Sequence, residues 1–541
     1  MRRFGGKIHW SVVSVVLWAI PSAVVALEAT GASSPSSATR VELSAEVARF
    51  VAQATSRTET PSPGPADVGE LQLSVREAVL LALKNNLDIA IARYSPRITA
   101  EDIVIQKAVF DPVFSLTADA NRTVTPSSSP GLSAVTSKVS NQDLNASLTQ
   151  ALPIGGSYTL SLTNNRQDTN ARFAQPVSGG INPSYETFLT LSVTQDLLKN
   201  FGVDVKTAPI KIARNNQAIS VTQLRLQANQ VVTSVHTAYW NLVFAIENLE
   251  VQRRSLRLAR DLEELNKARV RAGVAAPVEV TQAEAQAAAQ VQNVILAEKA
   301  VKDAEDQLKL ILNIPDGERI WAKKIIPADR PPFEPAQVET EASIEQALEK
   351  RPEYAQAKLN LQNADLNVRV ARNQLLPSLQ LQGSLGLNGL NGTLGGDYSR
   401  LTSGDFTAWS AALVLQYPLG NRAARSAFVQ SKLSYDQATT ALLNLKRQII
   451  SQVREAVRRI EANIALVAST RAARVLAEEQ LRVEQKRLEA GVTTTFNVLQ
   501  FQRDLAAAQA FEVQAVTTYN QNLANLELVK GTVLEKNQLE L

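Results

Sequence analysis

Glycine and proline are absent from four long stretches of this chain. Ile210–Ala272 contains neither residue, Gly273 and Pro277 interrupt, and Val278–Ile314 is again free of both. The pattern returns later: Asn421–Ala490 has neither, Gly491 interrupts, and Val492–Lys530 has neither. At ~1.5 Å per residue, a helix of about 60 to 70 residues runs to roughly 100 Å, a rod that no compact globular domain requires. The stretches therefore predict two helical hairpins of coiled-coil or tube type, each turned by one glycine. Leu442, Leu445, Ile449, Val453, Ala456, Ile460, Ile464 and Val467 step by threes and fours, which keeps one apolar stripe on one face. Alanines crowd Ala283–Ala289 and let neighbouring helices approach closely.

The two halves read as internal repeats. Ala268–Val274 (ARVRAGV) matches Lys486–Val492 (KRLEAGV), Ser74–Ala78 matches Ser343–Ala347, and Phe110–Phe114 matches Leu375–Leu379. Each half is expected to run through helices, strands, a long helix, a glycine turn and a second long helix. A link with Pro315, Pro327, Pro331, Pro332 and Pro335 joins them. The organisation read from this is a first repeat over residues 69–318, a linker over 319–342 and a second repeat over 343–541.

After Pro112 the apolar period changes from helical to two. Phe114, Leu116, Ala118 and Ala120 alternate with Ser115, Thr117, Asp119 and Asn121. Leu189, Leu191 and Val193, Leu379 to Leu387, and Trp409 to Tyr417 follow the same rule. Strands of roughly 10 residues, apolar on one face and polar on the other, suit a membrane β-barrel with a wet lumen. A soluble sandwich with one wet face is the alternative. The Ser/Asn/Gly-rich stretches 124–142 and 388–405 are expected to be long outer loops. Phe114, Tyr158, Phe188, Trp409 and Tyr417 are candidates for aromatic girdles. One chain has too few strands to close a wide barrel, and lipid forbids open sheet edges, so several copies are expected to close it in a ring.

Composition narrows the chemistry. The 541 residues include no cysteine, and the histidines are His9 and His236 alone, which excludes a thiolate nucleophile or a Cys/His metal centre and disfavours a histidine-based triad. Residues 1–26 read as an export leader: Arg2, Arg3 and Lys7, then the apolar Ile8–Ile20, then Val24–Ala26 for cleavage. Setting those three cations aside leaves 53 basic residues against 52 acidic ones, so no nucleic-acid footprint remains. Residues 27–68, rich in Ser, Thr, Ala and Pro, are expected to be a flexible lead-in.

Taken in order, Leu191–Leu198 (LSVTQDLL), Ala238–Leu242 (AYWNL), Arg271–Gly273 (RAG), Val278–Glu284 (VEVTQAE) and Gly491–Leu499 (GVTTTFNVL) resemble the TolC family of outer-membrane efflux and secretion channels. The resemblance spans about residues 70 to 535. It implies a mostly α-helical chain with a membrane β-barrel portion, a homotrimer with a long periplasmic helical tube, and a seat in outer-membrane lipid. It also implies docking to a periplasmic adaptor (a membrane fusion protein) and an inner-membrane pump of the RND, ABC or MFS type, with passive exit of cargo and no cofactor, metal or catalytic site. A trimeric surface adhesin or structural coiled-coil stalk is the competing reading; it calls for one barrel-forming segment at the C-terminus, whereas strands lie here in both halves.

By the same resemblance Gly273 and Gly491 turn the hairpins at the end far from the barrel, where adaptors dock. In the family, acidic residues after the second turn ring the entrance; here Asn497 and Gln500 hold those positions, while Glu279 keeps an acid after the first turn. Leu488 and Thr493 stand where the family has basic and aromatic partners. Finally, the interval from Pro112 to Gln195 is 83 residues against 39 from Pro377 to Gln416. The excess contains an alternating pair of segments around Pro153–Gly156, which predicts six strands per chain in place of the family's four, or else a hairpin in an outer loop.

Overall fold

A computed structural model describes residues 69–126, 136–170, 180–315 and 320–538. The expected leader 1–26 and lead-in 27–68 lie outside the described residues. The elements are β1 (Glu70–Leu73), α1 (Val75–Asn85), α2 (Leu87–Ala92), α3 (Tyr94–Ala108), β2 (Val113–Pro126), β3 (Thr136–Ala151), β4 (Gly156–Thr169), β5 (Ser184–Asp196), α4 (Val203–Lys206), α5 (Ala208–Arg271) and α6 (Pro277–Leu312). Then come β6 (Lys324–Pro327), α7 (Thr340–Lys350), α8 (Pro352–Asn373), β7 (Ser378–Asn391), α9 (Leu394–Ser403), β8 (Thr407–Gln416), α10 (Arg422–Glu489), α11 (Thr495–Lys530) and α12 (Val533–Lys536).

The glycine-free stretches are the helices α5, α6, α10 and α11, of 64, 36, 68 and 36 residues. Beyond their first halves, α5 folds back into α6 and α10 into α11; the first halves are paired instead with α3 and α8. Every helical level is therefore at least two helices thick. Thr99 of α3 shares a hydroxyl contact of 2.8 Å with Ser220 of α5, and Asn215 of α5 donates to Asn363 of α8 at 2.8 Å. On α10 the stripe packs as its spacing requires: Ile449, Val453, Ala456, Ile460 and Val467 are buried, with Leu445 and Ile464 partly so, against Ile344, Ala347 and Tyr519. No described helix is long and apolar enough to cross a membrane.

The short segments build a collar midway along the rods. β1 pairs in parallel with β6, and their residues Leu73 and Ile325 close a core with Val79, Val232, Tyr239, Leu242 and Leu308. Ser74 caps α1 reciprocally with Glu77. The matching Ser343 lies inside α7 and donates to the carbonyl of Glu339, so the two halves enter these helices differently. Two buried tyrosines hold the proline-rich link. Tyr239 donates to Leu73 O at 3.0 Å and accepts from Asp329 N; Tyr519 donates to Glu334 O at 2.6 Å and accepts from Ala336 N. Burial pushes the Tyr239 hydroxyl up to about 12. His236, on α5 beside Asn537, is held below its ordinary range by burial.

One sheet of six antiparallel strands, ordered β2-β3-β4-β5-β7-β8, stands at the other end of the rods. Residues 143–151 and 156–165 fall within β3 and β4 as full members of it, joined by a tight turn at 152–155. The faces are sharply different. One registered row reads Phe114–Leu148–Leu160–Leu191–Leu385–Trp409, and the adjacent row, pointing the other way, reads Ser115–Ser147–Ser161–Thr190–Gly386–Ala408. Phe114, Tyr158 and Trp409 lie on the apolar face as girdle candidates, whereas Phe188 pairs with Thr163 and Asn388 on the polar face, and Tyr417 follows the end of β8. The expectation for Phe188 fails because its even number puts it opposite Leu189.

The loop expectation is also corrected. Residues 124–126 extend β2 and 136–142 begin β3, while 388–391 extend β7 and 394–403 form α9; residues 127–135 lie outside the described part. Thr393 caps α9 by accepting from Gly396 N, and Gly404 (φ 75°) ends it. The helix packs on the apolar side of the sheet. Asp397, fully buried, accepts from the Thr187 hydroxyl, and a Cβ on Gly389 would meet the Asp397 carbonyl at 2.5 Å, so only glycine fits beneath it.

Candidate functional site

The two hairpin turns have one backbone. After α5, Gly273 N donates to Val270 O at 3.0 Å and Val274 N to Arg269 O at 3.0 Å; after α10, Gly491 N donates to Leu488 O at 3.1 Å and Val492 N to Arg487 O at 3.0 Å. Both are Schellman closures, with the glycine left-handed at φ 71° and 73°. A Cβ at either position meets nothing within 4 Å, so the requirement is the backbone angle alone. Arg269 and Arg271 end α5, and Lys486 and Arg487 end α10, cations where the helix dipole favours them. Val274, Val278, Val492 and Phe496 are exposed and give the turn end an apolar surface.

The turns lie side by side, because residues of one hairpin bond the other. Thr495 and Asn266 are fully buried. The Thr495 hydroxyl donates to Glu279 Oε2 at 2.7 Å and lies 3.2 Å from Asn266 Oδ1, while Asn266 Nδ2 donates to the Glu279 carbonyl at 3.3 Å. A hydroxyl has one proton, and the shorter contact to the carboxylate takes it. Glu279 is half-buried, with its carboxylate engaged across the hairpin interface. Beside this link, Lys267 is held above its ordinary range, chiefly by its hydrogen bond to Glu263. Leu262, Leu481, Leu488, Val498, Leu499 and Leu505 pack the space behind.

Apart from Thr495, the polar groups at the second turn bond within their own hairpin. Glu484, buried on α10, accepts from the Thr493 hydroxyl and from Arg487 Nη1 at 3.0 Å. Asn497 Nδ2 donates to Thr493 Oγ1 at 3.0 Å, and Gln500 Nε2 donates to Asp504 Oδ1 at 3.1 Å. Asn497, Gln500 and Asp504 are all exposed. The structure thus gathers Gly273, Glu279, Gly491, Asn497 and Gln500 at one end of the rods. It adds Asn266, Glu484, Thr495 and Asp504, which sequence reasoning missed. Asp504 was visible as the acid four residues past Gln500; the Asn266–Thr495 contact joins positions 229 apart, with no local signal. Among the described residues, no group of three or more His, Asp or Glu side chains is placed to hold a metal ion.

The profile of the family described as "Outer membrane efflux protein" matches residues 157–313 and 343–532. The outer membrane protein TolC of Vibrio cholerae is 25% identical over 382 residues, spanning 70% of this chain and 82% of that protein. TolC of Escherichia coli K12 is 24% identical over 402 residues, spanning 72% and 76%. Among solved structures, a membrane protein from Pseudomonas aeruginosa superposes with a TM-score of 0.61 at 18% identity, covering 88% of this chain and 100% of that one. The Campylobacter jejuni CmeC outer membrane channel gives 0.61 at 16% identity, covering 85% and 86%. Likenesses at such identities speak for the fold.

Proposed function

The chain belongs to the outer membrane efflux protein family, and from that premise we propose that three copies close into one continuous duct, sheet to sheet and hairpin to hairpin. The protein is an outer-membrane exit duct for efflux or secretion, with its helical tube in the periplasm. The observation that supports closure by neighbouring copies is the sheet's two open edges. Every residue of β2 and of β8 is exposed, and in lipid an unpaired edge costs several kcal/mol per orphaned group, roughly the cost of an unmade buried hydrogen bond. Because the strand count is even, β8 of one copy meets β2 of the next antiparallel, so closure extends the same hydrogen-bond pattern.

The apolar face carries a second mark of a barrel wall. The row from Phe114 to Trp409 is the inner end of the apolar run on β2 (Phe114 to Ala120) and the outer end of the run on β8 (Trp409 to Leu415). A level apolar belt therefore climbs by about six residues over five strand steps; at ~3.3 Å per residue and ~4.8 Å between strands this is a tilt of about 40°, within the ~35–45° of membrane barrels. Apolar side chains then face lipid and the Ser/Thr/Asn rows face the lumen. The α5 and α10 rods carry the turns about 95 to 100 Å away at ~1.5 Å per residue, which makes the turn end the periplasmic entrance.

In this reading the exposed Val274, Val278, Val492 and Phe496 receive a periplasmic adaptor, which brings an inner-membrane pump. Glu279, Asn497, Gln500 and Asp504 line or rim the entrance, and cargo passes without chemistry by the duct itself. The repeats are one barrel-and-hairpin unit used twice. Purified in detergent and added to a planar bilayer, the protein is expected to run as a trimer and to give ion-conducting pores. A monodisperse monomer without conductance would remove the reading.

A further inference from the structure

Charge on the sheet is sorted by face. The strand cations Arg122, Lys138 and Arg166 all stand on the apolar side, in register with Ser140, Val124 and Tyr185. Asp119, Asp143, Glu186 and Asp196 stand on the polar side, the first three in one row with Asn165. Asp168, the remaining strand carboxylate, shares the cations' side and lies 3.9 Å from Arg166. A randomly charged rim would not place every cation on one face and four of five carboxylates on the other.

The cations are also sorted by height. All three lie toward the strand ends far from the long helices. Arg122 is the next position on its face after Ala120, and Arg166 the second after Leu162. With ~3.3 Å per residue and a tilt of about 40°, Arg122 and Arg166 stand roughly 13–15 Å from the mid-line of the apolar run on their strands, just past the edge of a belt ~25 Å tall. Arg166 Nε donates to the Tyr185 hydroxyl at 3.1 Å, and its guanidinium lies 5.8 Å from the Tyr185 ring centre. An amphipathic tyrosine at that height marks the headgroup level. Arg400 of α9, on the same side, donates to Leu390 O at 2.7 Å and adds a fourth cation near the outer end.

We propose that Arg122, Lys138 and Arg166, with their copies around the barrel, form an outward-facing cationic collar that binds the phosphate groups of outer-leaflet glycolipid. The proposal rests on the barrel reading above. Arginine matches a phosphate with two parallel N–H donors, and at the lipid boundary such contacts are less screened than in bulk water. The face decides the occupant. An anionic solute in the lumen would meet Asp119, Asp143 and Glu186 and be repelled, whereas an anionic headgroup outside meets the cations, with Asp168 paired to Arg166 and Asp397 fully buried beneath α9. The collar would fix the depth of the barrel in the membrane and brace the hairpin β3–β4, which supplies two of its three strand cations.

The test uses the full chain in detergent with bis-phosphorylated lipid A as probe, read by native mass spectrometry and by the melting temperature. The parent is expected to retain the lipid and to melt higher in its presence; R122Q/K138Q/R166Q is expected to bind about tenfold or more weakly. R122K/R166K, which keeps the charge, is expected to retain most of the binding. Lipid A stripped of phosphate is expected to bind parent and triple variant alike, and millimolar inorganic phosphate is expected not to displace the bis-phosphorylated form. Equal retention by parent and triple variant overturns the collar, and so does full displacement by inorganic phosphate, which would mark a free-anion site. Conductance in a neutral bilayer separates the two levels: a triple variant that still forms trimeric pores but loses lipid A supports the collar, while a parent that forms no pores removes the duct beneath it.

Discussion

The first and second hairpin turns share a backbone and differ in what their side chains hold. Both close on a left-handed glycine with the same pair of hydrogen bonds. At the first, Glu279 and Asn266 reach across to Thr495 of the other hairpin; at the second, Glu484, Arg487, Thr493 and Asn497 bond among themselves. Backbone geometry repeats because the chain must reverse twice at one level. The polar groups diverge because one set joins the two hairpins and the other stiffens a single tip. In the proposed duct, opening of this end is expected to depend on the first set and not on the second.

The largest effect should come from testing that difference. Thr495→Val removes the hydroxyl donor that the Glu279 carboxylate accepts from across the hairpin interface, at a cost of ~1–3 kcal/mol. The hairpins should part more readily, and single-channel conductance should rise several-fold. Glu484→Gln should fray the second tip in hydrogen exchange and leave conductance unchanged. If both variants open the channel equally, the division of roles is wrong.

Next come the glycines. Gly273→Ala and Gly491→Ala should each cost about 1–2 kcal/mol from the left-handed backbone alone. Because neither Cβ meets a neighbour, the two penalties should agree, as faster amide exchange confined to the last turn of α5 or α10. A clearly unequal pair would reveal packing at one turn that its open surroundings do not suggest.

The smallest effect concerns charge at the entrance. Asn497→Asp with Gln500→Asp places two new carboxylates beside Asp504, and the ring should raise cation selectivity and trivalent-cation block from the periplasmic side. Salt should shrink the gain, since screening reaches only ~8 Å at physiological ionic strength. Glu279→Gln should change selectivity less than the double variant does, because that carboxylate is half-buried and already engaged. Reversal potentials decide; an unchanged double variant would place those positions away from the lumen.

The sequence exposed the parts of this molecule that follow from local rules. Helix length was legible because Gly273 with Pro277, and Gly491, are the breaks in otherwise unbroken helix-forming stretches, and strand starts because Pro112 and Pro377 precede Val113 and Ser378. The added hairpin was legible from a difference of intervals. Helix α9 was not, since Gly395, Gly396 and its serines read as loop; its cap Thr393 and stop Gly404 were the overlooked signals. The face of Phe188 follows from parity, since it alternates with Leu189 and so falls on the polar side. The Thr495 link was beyond reach, because it depends on how two rods pack and on nothing within either one.

The central claim is that the open edges β2 and β8 close against neighbouring copies, and the absence of natural cysteine makes it directly testable. Thr117→Cys on β2 and Ala412→Cys on β8 place one thiol at mid-height on each edge, both on the polar face. Treated in membranes with a short bismaleimide, the double variant should give a ladder ending at a covalent trimer on a denaturing gel, and each single variant should stay monomeric. A double variant that stays monomeric, or stops at a dimer, would contradict closure of the barrel by three copies.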